Sequence, residues 1–477
     1  MSRPSSAEAI GLVDAARWAA AATELAQGEM VFVAIWSELS AEGTFVHLAR
    51  RRPGDAAVSV IGLPVRDRQY PSIGRHHPGA ILLERALQDR HGLRAEGLPD
   101  PRPWLDHGAP YRFRPTKGNG VHQIPVGPVH AGTIEPGHFR FSVNGETIVR
   151  LEARLGYAHK GTLELMRGAA LDHAARLAGR VSGDSTVAYA LAFARAAESA
   201  LGIEAPPRAM VLRGVMAELE RLANHWGDFG AICNDAGFPL LHAEGAVLRE
   251  HVLRLAHSCF GHRLMMDRVI PGGVAADLAG DAPTILHAIL SQAAGRFERL
   301  VELYDKTASL QDRVVSTGRL DPALAKRLGC GGYVGRAAGQ DFDARVASIY
   351  PPYGGLTLAV PRLSGGDVDA RVRVRITEIR QSCALIHTLL ETLPEGPLSC
   401  RLPERAAASR GHALVEGFRG DIFAHVRLRD GRIEDVFLRD PSWFLWPALE
   451  AAIEGNIVAD FPLCNKSFNA AYSGCDL

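Results

Sequence analysis

At 477 residues with 47% apolar content, the chain is long enough for roughly three domains and at least one large core. Lys plus Arg and Asp plus Glu balance at 53 each, so no global field favours nucleic acid or an acidic bilayer surface. Seven scattered cysteines without a Cys-x-x-Cys pair read as reduced, mostly buried thiols, and neither a signal-peptide core nor a run of about twenty apolar residues is present.

In chain order, helical periodicity over 7–27 after Ser5-Ser6 is followed by short apolar strands at Met30–Trp36, Thr44–Ala49 and Ala57–Ile61, separated by Gly- and Pro-bearing turns. A further helix is expected between Ala80 and Gly92, and this small α+β module ends in the proline-rich stretch from Pro99 to Leu105. The polar segment 107–120 is the best linker, which places a boundary near 118 and divides the chain into 1–118 and 119–477. Arg50-Arg51-Arg52 reads as a solvated turn.

Beyond the linker, Phe139–Val143, Asn144-Gly145 and Glu146–Leu155 predict a β-hairpin with a type I′ turn. Periodicity then turns helical over 161–177, 184–201, 207–231, 241–268, 282–312 and 368–393, the pattern of a long bundle. An irregular span, 318–366, interrupts it, and a second hairpin is expected around Asp430-Gly431 with strands 421–428 and 432–438. The glycine run Gly329 to Gly335 lacks the spacing and the βαβ context of a dinucleotide loop, which excludes nicotinamide binding there. The fold class is therefore α+β: a small α+β module, then a long-helix bundle with β-hairpins.

Several ordered motifs carry a resemblance. They are Gly127-Pro128-Val129-His130, Glu135-Pro136-Gly137-His138, Tyr157-Ala158-His159-Lys160-Gly161, Glu220-Arg221-Leu222-Ala223-Asn224-His225, Pro271-Gly272-Gly273-Val274, and Arg336-Ala337-Ala338-Gly339 with Asp343 and Arg345. Two more stand far apart: Arg180-Val181-Ser182-Gly183-Asp184-Ser185 and Asp440-Pro441-Ser442-Trp443-Phe444-Leu445. Together they resemble the superfamily of nickel-iron hydrogenase large subunits and the quinone-site subunit of respiratory complex I. The front module, through Tyr70-Pro71-Ser72-Ile73, Glu84 and Asp89, is similar to the small peripheral-arm subunit of complex I. The fused arrangement resembles the large subunit of formate hydrogenlyase and other membrane-bound, hydrogenase-4-like enzymes.

The last two motifs keep the frame of Arg-x-Cys-Gly-x-Cys and Asp-Pro-Cys-x-x-Cys but lack every cysteine. Ser182, Ser185, Ser442 and Leu445 stand at the four ligand positions, and neutral hydroxyls are poor replacements for thiolates. The resemblance thus implies a hydrogenase-related subunit without a nickel-iron centre and with residues 460–477 retained, because no metal triggers removal of the C-terminal peptide. It implies a partner subunit carrying an iron-sulfur cluster, membrane subunits of a complex I-like assembly, and a cytoplasmic position attached to the inner face of the cell membrane. No tightly bound cofactor is expected, although quinone is a candidate acceptor. An alternative is a non-catalytic subunit, with Trp443, Phe444 and Leu445 filling the old site.

By the same resemblance, Glu135 falls at a proton-relaying glutamate, beside a cleft dry enough to raise its pKa, or else stabilises the turn before Pro136-Gly137. His130 lies in the loop that approaches a quinone head group, and His138 is a further cofactor-binding candidate in the adjoining motif. The quinone-binding tyrosine position falls on Phe193; Tyr189, one turn earlier, offers a phenol or is an ordinary core tyrosine. Asp235 matches the aspartate that pairs with the quinone-site histidine, or simply ends a helix. Asn224 and His225 read as buried hydrogen-bonding groups, and Asp343, Arg345 and Arg180 as ion pairs around the vacated cavity.

Overall fold

The structure, a computed structural model, describes residues 10–108, 110–129, 134–278, 280–347, 350–403 and 409–477. The first helix, Ala15–Gln27, begins where the Asp14 carboxylate accepts the Arg17 N–H and ends at Gly28, whose φ of 74° closes the cap. It therefore starts later than the Ser5-Ser6 signal suggested. Gly11–Leu12 instead pair in parallel with Ile61-Gly62 at one edge of a four-stranded sheet built with Val58–Pro64, Gly43–Arg51 and Val31–Ser40.

Arg50 and Arg51 are not in a solvated turn. Both are buried inside the Gly43–Arg51 strand, Arg50 against the Glu24 carboxylate and Arg51 with its guanidinium 3.5 Å over the Phe342 ring. Charge runs are solvated only where no acid or aromatic face meets them, and here both do.

Ile81–His91 forms the helix of the front module. Among the described residues no helix or strand forms between Glu96 and Val121, after which Val121–Val126, His138–Asn144 and Thr147–Arg154 make a three-stranded antiparallel sheet. The hairpin forms as expected, but its loop is Gly145-Glu146 and only Gly145 takes a positive φ, 60°, the pattern of a type II′ turn. The second hairpin is the one with I′ geometry: Asp430 and Gly431 lie at φ 52° and 74°.

The bundle comprises Thr186–Leu201, Pro207–Asp235, Pro239–Phe260, Ala282–Lys306 and Val368–Glu391. The expected helix over 161–177 breaks at Gly168, φ 74°, into Thr162–Met166 and Leu171–Ala178. Thr186–Leu201 is the central helix, buried nearly all round, and rests on the C-terminal sheet of Ser409–Gly417, Gly420–Arg429 and Arg432–Arg439. Among the described residues no helix is long and apolar enough to cross a membrane.

Candidate functional site

The first serine motif ends where the central helix begins. Ser182 Oγ and Ser185 Oγ donate to Asp184 Oδ1 at 2.6 and 3.2 Å, and Arg419 grips the same carboxylate with two bonds of 2.8 and 2.6 Å. Burial alone would raise the Asp184 pKa, yet Arg419 and the two hydroxyls hold it down to about 2. Ser185 does not cap the helix through its side chain. Glu220 of the Pro207–Asp235 helix takes that part, accepting the Val187 and Ala188 N–H groups at 2.7 and 3.0 Å.

Arg419 can reach Asp184 because it sits in the two-residue turn between Gly417 and Gly420. That turn is pressed against Gly332, where a β-carbon would lie 1.9 Å from the Arg419 carbonyl oxygen. The glycine run 329–335 is thus a close-approach surface that seats the arginine, consistent with its exclusion as a dinucleotide loop.

The second motif is organised by Asp440, whose two carboxylate oxygens accept the Ser442 N–H at 2.7 Å and the Tyr189 hydroxyl at 2.5 Å. Facing them lies the C-terminal segment of the chain. Ala470 to Leu477 are all buried, unusual for the last residues of a chain unless they are tied down. Many bonds hold them. Ala471 N–H donates to Ser442 Oγ at 2.8 Å, Trp446 Nε1 to the Ala471 carbonyl at 3.0 Å, Ser473 N–H to Glu135 at 3.0 Å, and Trp104 Nε1 to the Cys475 carbonyl at 2.9 Å. The Asp476 carboxylate accepts the Gly156 and Ala158 N–H groups, each at 2.9 Å. Gly474 passes so close to Asp440 that a β-carbon would stand 2.6 Å from its Cγ.

Behind the serines runs a buried charged network. His225 Nε2 shares a 2.8 Å bond with Glu378, which also receives Arg336 at 2.7 Å; Arg336 holds Glu416 at 2.8 Å. Arg345 bridges Asp343 at 2.7 Å and Glu218 at 3.1 Å, and Tyr353 and Ser382 donate to Glu218, each at 2.6 Å. Asn224 ties this network to the first motif through a 2.8 Å bond to the Asp184 carbonyl. Asn224 and His225 are therefore the buried hydrogen-bonding groups expected. Arg180 is not part of the set: it pairs with Asp267 at 2.7 Å on the surface.

Residues 243–414 match the family model of the respiratory-chain NADH dehydrogenase 49 Kd subunit. The chain is 31% identical over 447 residues to formate hydrogenlyase subunit 5 of Escherichia coli (strain K12), covering 86% of this chain and 77% of the relative. It is 30% identical over 443 residues to hydrogenase-4 component G of the same organism, covering 86% and 76%. The chain belongs to the family of hydrogenase large subunits and complex I quinone-site subunits. The fold agrees: a chain of the membrane-bound sulfane sulfur reductase, an archaeal respiratory membrane complex, superposes with a TM-score of 0.71 at 24% identity, over 75% of this chain and 99% of that one.

Within this family fold, the four ligand positions do not suit a nickel-iron cluster. Ser182, Ser185 and Ser442 present neutral hydroxyls already engaged with Asp184 or the Ala471 N–H, and Leu445 has no donor atom. Cys475 is buried near Asp440, and Cys464 lies beside Gly318 and Arg371. Trp443, Phe444 and Leu445 are all buried; the Trp443 ring lies 5.7 Å from Trp104, which holds the Cys475 carbonyl, and the Phe444 ring 5.9 Å from Phe32.

The remaining candidates are dispersed. Glu135 is exposed rather than set in a dry cleft, and its carboxylate is spent on the Ser473 N–H. His138 is buried, with Nδ1 3.0 Å from the Gly127 carbonyl. His130 lies outside the described residues. Tyr189 and Phe193 are both fully buried on the central helix, the former bonded to Asp440. Asp235 closes the Pro207–Asp235 helix, half-buried, with a 3.4 Å bond from Asn234, and the histidine it was expected to pair with, His130, is outside the described residues. Arg419 and the tail contacts carry no local sequence signal, whereas Glu220 opens the motif Glu220 to His225 and Asp184 stands between the two serines.

Proposed function

We propose that this chain is the large peripheral subunit of a membrane-attached, hydrogenase-related complex, that it carries no nickel-iron centre, and that its old metal cavity now serves as a structural joint. One observation carries this reading: residues 470–477 lie buried, with Gly474 close against Asp440 and their backbone bonded to Ser442, Trp446, Glu135 and Trp104. A segment sewn in at so many points ties the hairpin sheet, the bundle and the front-module linker into one body. In such an assembly an iron-sulfur partner would pack over the serine motifs and membrane subunits would lie below. The role is then to hold and couple its neighbours.

A second reading keeps redox chemistry in this subunit, with electrons passing from the iron-sulfur partner to a quinone or another acceptor. Supporting it, two apolar side chains, Val129 and Ile134, are 88% and 43% exposed, the latter adjoining Glu135 in the chain, as a site for a quinone ring would need. Glu135, His130 and Asp235 would then handle protons. Quinone-reductase turnover of the assembled complex, measured for Glu135→Gln and Asp235→Asn against the parent, separates the two readings. Unchanged rates in both variants support the structural role; a tenfold or greater loss in either would replace it with the catalytic one.

A further inference from the structure

Away from the serine motifs, four strands from two sheets meet around a set of buried polar side chains. Glu38 comes from Val31–Ser40, His47 from Gly43–Arg51, His425 from Gly420–Arg429 and Asp435 from Arg432–Arg439, and none is more than 1% exposed. Donor atoms of Glu38, His425 and Asp435 all lie within 4.8 Å of one another. Both ring nitrogens of His425, Oδ2 of Asp435 and Nδ1 of His47 have no hydrogen-bond partner. Unsatisfied groups buried this deeply are costly, and the His425 ring nitrogens together with Asp435 Oδ2 call for an occupant.

We infer that Glu38, His425 and Asp435 bind a first-row divalent cation, zinc foremost, that fastens the front sheet to the C-terminal sheet. Imidazole and carboxylate without sulfur suit zinc among the metals of that row. The surroundings already have the form of an outer shell. Asp435 is oriented through its other oxygen, which accepts from Arg167 at 2.9 Å. Glu38 accepts from His47 at 3.0 Å and Arg410 at 3.1 Å, with Arg427 also bonded. The nearby guanidiniums of Arg167, Arg410 and Arg427 are offset by Glu38, Asp435, Glu42 and Glu434, so the ion does not enter a net positive pocket. Trp36 covers the site, its ring 4.9 Å from His425 and 5.2 Å from His47.

Donor atoms that all lie within 4.8 Å of one another can close on one ion by small side-chain rotations, and a water completes the shell. The alternative occupant is water alone, satisfying the same atoms.

The test uses the full chain with its natural partners. After chelation, zinc or cobalt(II) is added back and bound metal is measured, with cobalt read by its visible d–d bands. Stoichiometric, tight uptake is expected in the parent and in His251→Ala, a control at an exposed histidine. Uptake should be lost in His425→Gln and Asp435→Asn, and the parent should melt at lower temperature when chelated. Zinc-edge absorption of the parent alone decides the matter should either variant fail to fold. A nitrogen and oxygen shell with an imidazole signature supports the site, whereas sulfur ligands, or no retained ion, would overturn it.

Discussion

Asp184 gathers Ser182, Ser185 and Arg419 around a single carboxylate. Its pKa falls from 3.8 to about 2 because Arg419 and two serine hydroxyls outweigh the cost of burial. The folded-state value is depressed, so the stabilisation is present above the unfolded pKa and is lost as pH falls from about 4 towards 2. Asp184→Asn should therefore cost about 2 kcal/mol at neutral pH, with the gap to the parent closing below pH 4. Denaturant unfolding at a series of pH values measures this, and a gap that stays constant down to pH 2 would mean that the pair is not the source. At this scale the sequence was partly legible. Ser182, Ser185 and Ser442 stood out because a familiar frame surrounded them, whereas Arg419 sits in a turn whose approach to Asp184 depends on strands paired over long range. Arg50 and Arg51 misled for the same reason, since their partners Glu24 and Phe342 are distant in the chain.

Among elements, the C-terminal segment matters most. Gly474 permits its close pass by Asp440, so Gly474→Ala should force the segment outward at a cost of about 1–3 kcal/mol, as overpacking does. Carboxypeptidase digestion and thermal melting together read this out. Faster trimming with a lower melting temperature is expected; a tail as protected as the parent's would show that the contact yields cheaply. The long helices were legible from periodicity because each buries a continuous stripe, and their ends were displaced where glycines such as Gly168 and Gly261 take positive φ. Both hairpins were legible from Asn-Gly and Asp-Gly, although the Asn144-Gly145 loop slipped by one residue, so that glycine took the first central position and changed the turn type. Strands Val121–Val126 and Ser409–Gly417 carry weak alternation and become strands only by pairing with a neighbour, which no local pattern announces.

Across the whole molecule, the front sheet, the bundle and the C-terminal sheet converge on two buried polar joints. One is the serine and Asp440 cavity closed by residues 470–477; the other is the Glu38, His425 and Asp435 cluster. Family membership fixes the frame of the first joint, and our proposal is that hydrogen bonding has there taken the place of sulfur ligation. Nickel content of the assembled complex, purified from cells supplied with nickel and determined by elemental mass spectrometry per copy of this chain, tests that directly. The account predicts no nickel above background with residues 470–477 still in place. One nickel per chain would contradict it.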